Sequence, residues 1–258
     1  MLPNLRLLDK GWSFLHLNFH PPASGTMRDY VDLSQVYDDK MSMAPMLPQF
    51  SCCPVLTHEE HGGSMQQLTL VTHCGTHIDA PAHFIREGET VDTIPLSQLT
   101  GSAIVVDVSG KSPRQRIRSS DLKPYEDTLR QSIASRSNPI VLFRTDWSRF
   151  WGTDKYFDHP FLDGDVARDL VAIGIKAIGI DAMGPDETKI DVTADNVGQL
   201  DFTAHRVVLA AGMIIAENLK NLDQIQDGSW NVSVAPLKIA GGDGSPVRAY
   251  AWKDTLEV

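Results

Sequence analysis

Short runs of valine, isoleucine and alanine bounded by Gly, Pro, Asn and Asp recur along the chain. They predict strands over 31–37, 64–72, 103–108, 140–144, 177–180, 213–216, 232–239 and 247–252. A helical period of apolar positions is clearest over 166–173, where Asp165 suits the start and Gly174 the stop. A second helix is expected over 121–135, with Pro124 confined to its first turn, and a short third over 204–211, ending at Gly212. Strands and helices interleave without an internal repeat, which predicts one α/β domain. Two stretches do not fit either period. Residues 145–163 carry Trp147, Phe150, Trp151, Tyr156 and Phe157, and long aromatic connections of this kind serve a site or an interface. Residues 183–201, with Asp186, Glu187, Asp191, Asp195 and Asp201, are expected to form a solvated loop.

Composition narrows the class. The 258 residues contain 33 Asp and Glu against 23 Lys and Arg, a net charge of −10, so the basic footprint of a nucleic-acid partner is missing. Three cysteines, two of them adjacent at Cys52 and Cys53, match no disulfide framework and no metal-binding CxxC pair, which fits a reducing cytoplasm. Residues 1–28, closing on Pro21, Pro22 and Gly25, read as an N-terminal arm whose Trp12, Phe14 and Phe19 pack on something. That arm has no uninterrupted apolar core of a secretion signal, and no stretch approaches the length of a membrane span. The expected partner is a small-molecule substrate.

Candidate chemistry is concentrated in one place. His73, Cys74, Gly75, Thr76, His77, Ile78, Asp79, Ala80, Pro81, Ala82 and His83 hold three histidines and a carboxylate within eleven residues. Imidazole and carboxylate suit zinc, manganese or iron alike. If the strand over 64–72 continues into this run, alternation brings His73, His77 and Asp79 to one face. Gly75 permits close backbone approach, Pro81 fixes the exit, and Thr76 is positioned to orient a ligand. His83 has no assigned role at this level.

The run resembles the HxGTHxDxPxH signature of the cyclase family of metal-dependent hydrolases, which includes bacterial kynurenine formamidases, isatin hydrolases and some lactamases. Likeness extends from Val31 to Trp252 through Arg144, Thr145, Asp146 and Trp147, through Gly179 and Asp181, and through Gly244, Ser245, Pro246, Val247 and Arg248. The resemblance implies a hydrolase domain over 29–258 of the swivelling β/β/α type, with a mixed sheet and flanking helices. It implies a homodimer or homotetramer in which neighbouring subunits often complete the site. It implies that His73, His77 and Asp79 bind a divalent ion, zinc or manganese, and that His83 is the acid/base. It further implies that His205 and Glu217, twelve positions apart, share Asp79 around a second ion. Without the resemblance, His205 stays open between ligand and structural residue. One or two ions per subunit are therefore expected.

The expected reaction is hydrolysis of an amide C–N bond in a formamide, lactam or other cyclic amide. Ion-activated water attacks the carbonyl, and His83 takes the water proton and returns it to the leaving nitrogen. A lactone or ester hydrolase with the same site, and a non-catalytic metal-binding protein of the same fold, are the alternatives. Other chemistries lack support. No GxSxG, Walker or GxGxxG run occurs, and His58, Glu59, Glu60 and His61 have HExH rather than HExxH spacing, as expected of a polar surface loop. Cys74 reads as buried filler, and Gly241 to Gly244 as a tight hairpin connection. Trp147 and Trp151 are open between lining a pocket and packing in the core.

Overall fold

The computed structural model describes residues 29–44, 47–192, 195–196 and 199–254. The arm expected over 1–28 lies outside the described residues. In chain order the strands are β1 (Tyr30–Asp32), β2 (Ser51–Leu56), β3 (Met65–Thr69), β4 (His77–Asp79), β5 (Thr100–Asp107), β6 (Arg116–Ile117), β7 (Ile140–Arg144), β8 (Phe161–Leu162), β9 (Ala177–Ile180), β10 (Ile214–Glu217), β11 (Trp230–Ser233), β12 (Gly244–Pro246) and β13 (Tyr250–Lys253). The helices are α1 (His58–His61), α2 (Ser119–Leu122), α3 (Glu126–Ala134), α4 (Gly164–Ile173) and α5 (Thr203–Ala210).

Nine strands form one mixed sheet in the order β1-β13-β11-β5-β7-β9-β10-β4-β12. Its centre, β5-β7-β9-β10, is parallel. These strands read as unbroken apolar runs because both faces are covered. Alternation then sorts their side chains. Val141, Phe143, Ile178, Ile180 and Ile215 face a core shared with α4 and α5, while Ile140, Leu142, Ala177, Ile214 and Ala216 face a second core. That second core also takes Leu33, Ile78, Val232 and Ala251 from the sheet's outer strands. The sheet curls to enclose it: β12 pairs with β4 at one end, and the same segment continues into β13 near the other. The mixed α/β single domain expected from the pattern is what the structure shows.

Several local expectations change. The expected helix over 121–135 is α2 and α3 separated by a 3-10 turn at Lys123–Tyr125, because Pro124 cannot donate to a continuous ladder. Helix α4 starts at Gly164, two residues before the expected first residue. Asp163 rather than Asp165 is its N-cap, accepting from the Asp165 amide at 3.2 Å, and Gly174 closes it as expected. The strand expected over 232–239 ends at Ser233, and that over 247–252 is replaced by β12 and β13. His58–His61 is one helical turn capped by Thr57, at the tip of the exposed hairpin β2-β3, whose β2 strand the sequence pattern does not reveal. Trp147 is buried in the core, and Trp151 packs beside Met41 and Met43.

Candidate active site

The expected continuous strand into the histidine cluster is not formed. β3 ends at Thr69 in the β2-β3 hairpin, and regular strand resumes only at His77. Gly75 breaks it at φ 58°, where a Cβ would meet Tyr37 Cε2 and Oη at 2.6 Å. The Tyr37 hydroxyl donates to the Cys74 carbonyl at 2.6 Å, so the ring lies across the bend. His73 therefore reaches the site from a bend and not by alternation. Its Nδ1 nevertheless lies 2.6 Å from Asp79 Oδ1. His77 and Asp79 do share one face of β4, opposite Ile78 in the inner core.

Strand pairing supplies the next residue. β10 runs antiparallel to β4 with Glu217 opposite His77 and Ile215 opposite Asp79. His77 Nε2 stands 3.3 Å from Asp79 Oδ1 and 3.3 Å from Glu217 Oε2. Helix α5 brings His205 over the same edge, its Nε2 3.1 Å from Glu217 Oε1 and 3.3 Å from Asp79 Oδ2. Of three donor triads among the described residues, His73-His77-Asp79 and Asp79-His205-Glu217 share the carboxylate of Asp79, and His73-His83-Asp243 is the more open third.

Each imidazole has a second partner. His77 Nδ1–H donates to the Gly75 carbonyl at 2.9 Å, which leaves Nε2 for the site. His73 Nε2 meets Asp243 Oδ2 at 3.0 Å, and His205 Nδ1 meets Asp186 Oδ2 at 2.7 Å. Neither aspartate is foreseen from sequence. Asp186 is buried within the stretch expected to be a solvated loop, and Asp243 projects from the turn expected only to join strands. Only their contacts with the motif identify them. Thr76 also differs from expectation: its hydroxyl accepts from the Gln35 amide and donates to the Asn218 carbonyl, both at 2.8 Å, so it braces backbone and orients no ligand. Asn218 donates to the Gly75 carbonyl at 2.8 Å and accepts from the buried Tyr156 hydroxyl at 2.9 Å, which ties the aromatic stretch to the bend.

Charge is strongly frustrated within this cluster. Burial opposes ionisation of Asp79, but the His73 charge and the imidazoles of His205, His73 and His77 drawn close around it hold its carboxyl well below the usual range. Burial and then the Asp79 charge push Glu217 up. Burial works against protonated His73, yet Asp79 and Asp243 outweigh it and raise it to about 9. His205 is likewise raised, by Asp186, Asp79 and Glu217 against its burial. Asp79 Oδ2 is buried and, despite its 3.3 Å approach to His205 Nε2, makes no hydrogen bond. An orphaned carboxylate oxygen between nitrogen and oxygen donors fits a divalent ion.

His83 sits in the 3-10 turn Pro81–His83 just beyond β4. Its ring stacks on His73 at 3.8 Å, and its Nδ1 is 3.6 Å from Asp243 Oδ2. Burial, reinforced by the charges of His73 and His205, lowers its pKa to about 4. Side-chain exposure rises from 1% at Asp79 to 28% at His83 and 44% at Asp243, so the site opens on the His83 side. Phe84 and Phe202, with ring centroids 5.1 Å apart, border His83 and His205 there. Cys74 is buried with Met41 and Met43, as expected of filler.

Residues 31–187 match the Cyclase family model, described as "Putative cyclase". A kynurenine formamidase of Salinibacter ruber is 33% identical over 195 residues, covering 74% of this chain and 81% of the relative. One of Bacillus cereus (strain ZK / E33L) is 30% identical over 228 residues, covering 86% of this chain and 96% of the relative. Among solved structures, an isatin hydrolase bound to the product analogue thioisatinate superposes with a TM-score of 0.75 at 22% identity, over 87% of this chain and 92% of that one.

Proposed function

The chain belongs to the Cyclase family, and from that premise we propose that it hydrolyses the amide C–N bond of an aromatic formamide, as a metal-dependent amidohydrolase. The observation that carries this reading is the shared carboxylate. Asp79 serves two donor triads, and its orphaned oxygen faces the one that contains Glu217. His73, His77 and Asp79 would hold the first ion, and Asp79, His205 and Glu217 the second, with zinc or manganese suited to either. When bound, such an ion polarises the scissile carbonyl and brings the pKa of a water towards neutrality.

The protein's own groups do the rest. His83 is placed for proton transfer, its ring stacked on His73 at 3.8 Å on the open side of the site, where it accepts the water proton and returns it to the leaving nitrogen. Asp243 stands close enough to orient that ring. Phe84 and Phe202 offer an apolar border on the open side, suited to an aromatic ring. One hydrolase domain over 29–258 is the reading the continuous sheet supports, and the three free cysteines are compatible with a reducing cytoplasm. Among the described residues no helix is long and apolar enough to cross a membrane. Assembly into a homodimer or homotetramer is supported by the β2-β3 hairpin, where Val55, Met65 and Leu68 are each at least half exposed.

A panel of N-formylkynurenine, an aromatic formamide lacking the amino-acid tail, a matched lactam and a matched lactone tests the proposal. Formamide turnover should lead in kcat/KM by at least roughly tenfold, one factor of ten being about 1.4 kcal/mol in transition-state binding. It should vanish on chelation and return with zinc or manganese. A faster lactone, or formamide hydrolysis indifferent to chelation, refutes it.

A further inference from the structure

The segment from Ala182 to Asp186 leaves β9 and folds over the Glu217 side of the site. Its two ends are fixed: the Asn218 amide donates to the Ala182 carbonyl at 3.0 Å, and the Leu162 amide donates to the Pro185 carbonyl at 2.7 Å. Between them, Gly184 lies against the Glu217 carboxylate, where a Cβ would stand 2.8 Å from Oε1. Asp186 follows, with its carboxylate turned to the start of α5. Oδ1 accepts from the Ala204 amide at 2.8 Å, and Oδ2 from the His205 amide at 3.0 Å and from His205 Nδ1 at 2.7 Å.

A carboxylate that only capped α5 needs the backbone amides. The contact with the imidazole goes further, because it decides which ring nitrogen carries the proton. With Nδ1–H committed to Asp186, the Nε2 lone pair is left for the side where Asp79 and Glu217 lie. The residue is buried, so no solvent competes for that bond.

We propose that Asp186 is the positioning residue of the second ion: it fixes the tautomer and ring orientation of His205 and thereby sets how tightly the Asp79-His205-Glu217 triad holds its cation. This rests on the two-ion reading above. Asp186→Asn removes the acceptor on one side of the group, since an amide offers one oxygen where the carboxylate offers two. Ion content and affinity are measured on wild type and variant with zinc as the probe, by titration into chelated protein and elemental analysis. The wild type should hold two ions per chain. The variant should keep the first with unchanged affinity and bind the second about 10- to 100-fold more weakly. Wild-type affinity for both ions in the variant overturns the proposal, as does equal loss of both, which is the mark of a purely structural cap. A wild type that takes one ion refutes the two-ion reading together with this inference, and one that takes none refutes the metal reading itself. Should Asp186→Asn not fold, zinc-loaded wild type labelled at histidine nitrogen decides: His205 Nδ1–H must appear as a slowly exchanging, strongly deshielded proton, and its absence overturns the assignment.

Discussion

Replacing Gly75 by alanine tests how the bend between His73 and His77 is held. The backbone there is left-handed at φ 58°, a conformation that costs an alanine about 1–2 kcal/mol. The new Cβ would also sit 2.6 Å from Tyr37 Cε2 and Oη, so the ring must move. Moving it sacrifices the 2.6 Å hydrogen bond to the Cys74 carbonyl, roughly 0.5–1.5 kcal/mol, and repacking a forced side chain costs roughly 1–3 kcal/mol. The expected destabilisation is about 3–6 kcal/mol, on the order of 10 °C or more in Tm for a chain of this size. Urea unfolding of ion-free protein measures it, and a Tyr37→Ala background isolates the cause. Without the ring, Gly75→Ala should cost only the backbone share, about 1–2 kcal/mol. First-ion affinity should fall in Gly75→Ala, because His73 is carried by the displaced strand of chain. Equal costs in the two backgrounds, or a total under about 1 kcal/mol, refute the reasoning.

Two further outcomes follow from groups at and away from the site. His83→Ala should retain wild-type ion content while kcat falls about 10²- to 10⁴-fold, and parallel loss of ions and turnover would make His83 a ligand or scaffold. His159 is buried and neutral, donating from Nδ1 to the Pro160 carbonyl and accepting at Nε2 from the Thr188 hydroxyl, both at 2.8 Å. Burial, with Arg114 adding, lowers its pKa to about 4. The unfolded chain therefore binds the extra proton first. The stability this ring contributes is complete above about pH 6.5 and is lost as pH falls towards 4, roughly 3 kcal/mol in all. Unfolding free energies of wild type and His159→Gln, compared between pH 7.5 and 4, should converge as the acid limit is approached; parallel curves contradict this.

What the sequence revealed follows from how local each signal is. The parallel core strands β7 and β9 appear with their observed bounds, because side chains buried on both faces leave uninterrupted apolar runs. β2 carries Pro54 and two cysteines and is exposed at most positions, so it has no apolar period to detect. The pairing of His77 with Asp79 was readable from alternation. The arrival of His73 was expected from the same alternation and comes instead from a bend set by Tyr37, a residue far from the motif in sequence. His205 and Glu217 needed the family resemblance, since their convergence depends on α5 and β10 meeting β4. Asp186 and Asp243 had no signal at all: an aspartate among other acidic residues or between glycines looks solvated until its imidazole partner is located.

The closing segment of the curled sheet bears on the order in which the protein can be made. β4, with His77 and Asp79, leaves the ribosome early, and its neighbour β10 follows only after the helices that cover the sheet. Its other neighbour, β12, comes later still in the chain, and Asp243 immediately precedes it. Until β12 is made, the nascent chain therefore carries β4 with at least one side unpaired. Such an edge is open to stray cations and to neighbouring chains until β12 emerges and seals it. Removing β12 should thus expose the free edge of β4 as a site of aggregation while the parallel centre can still form.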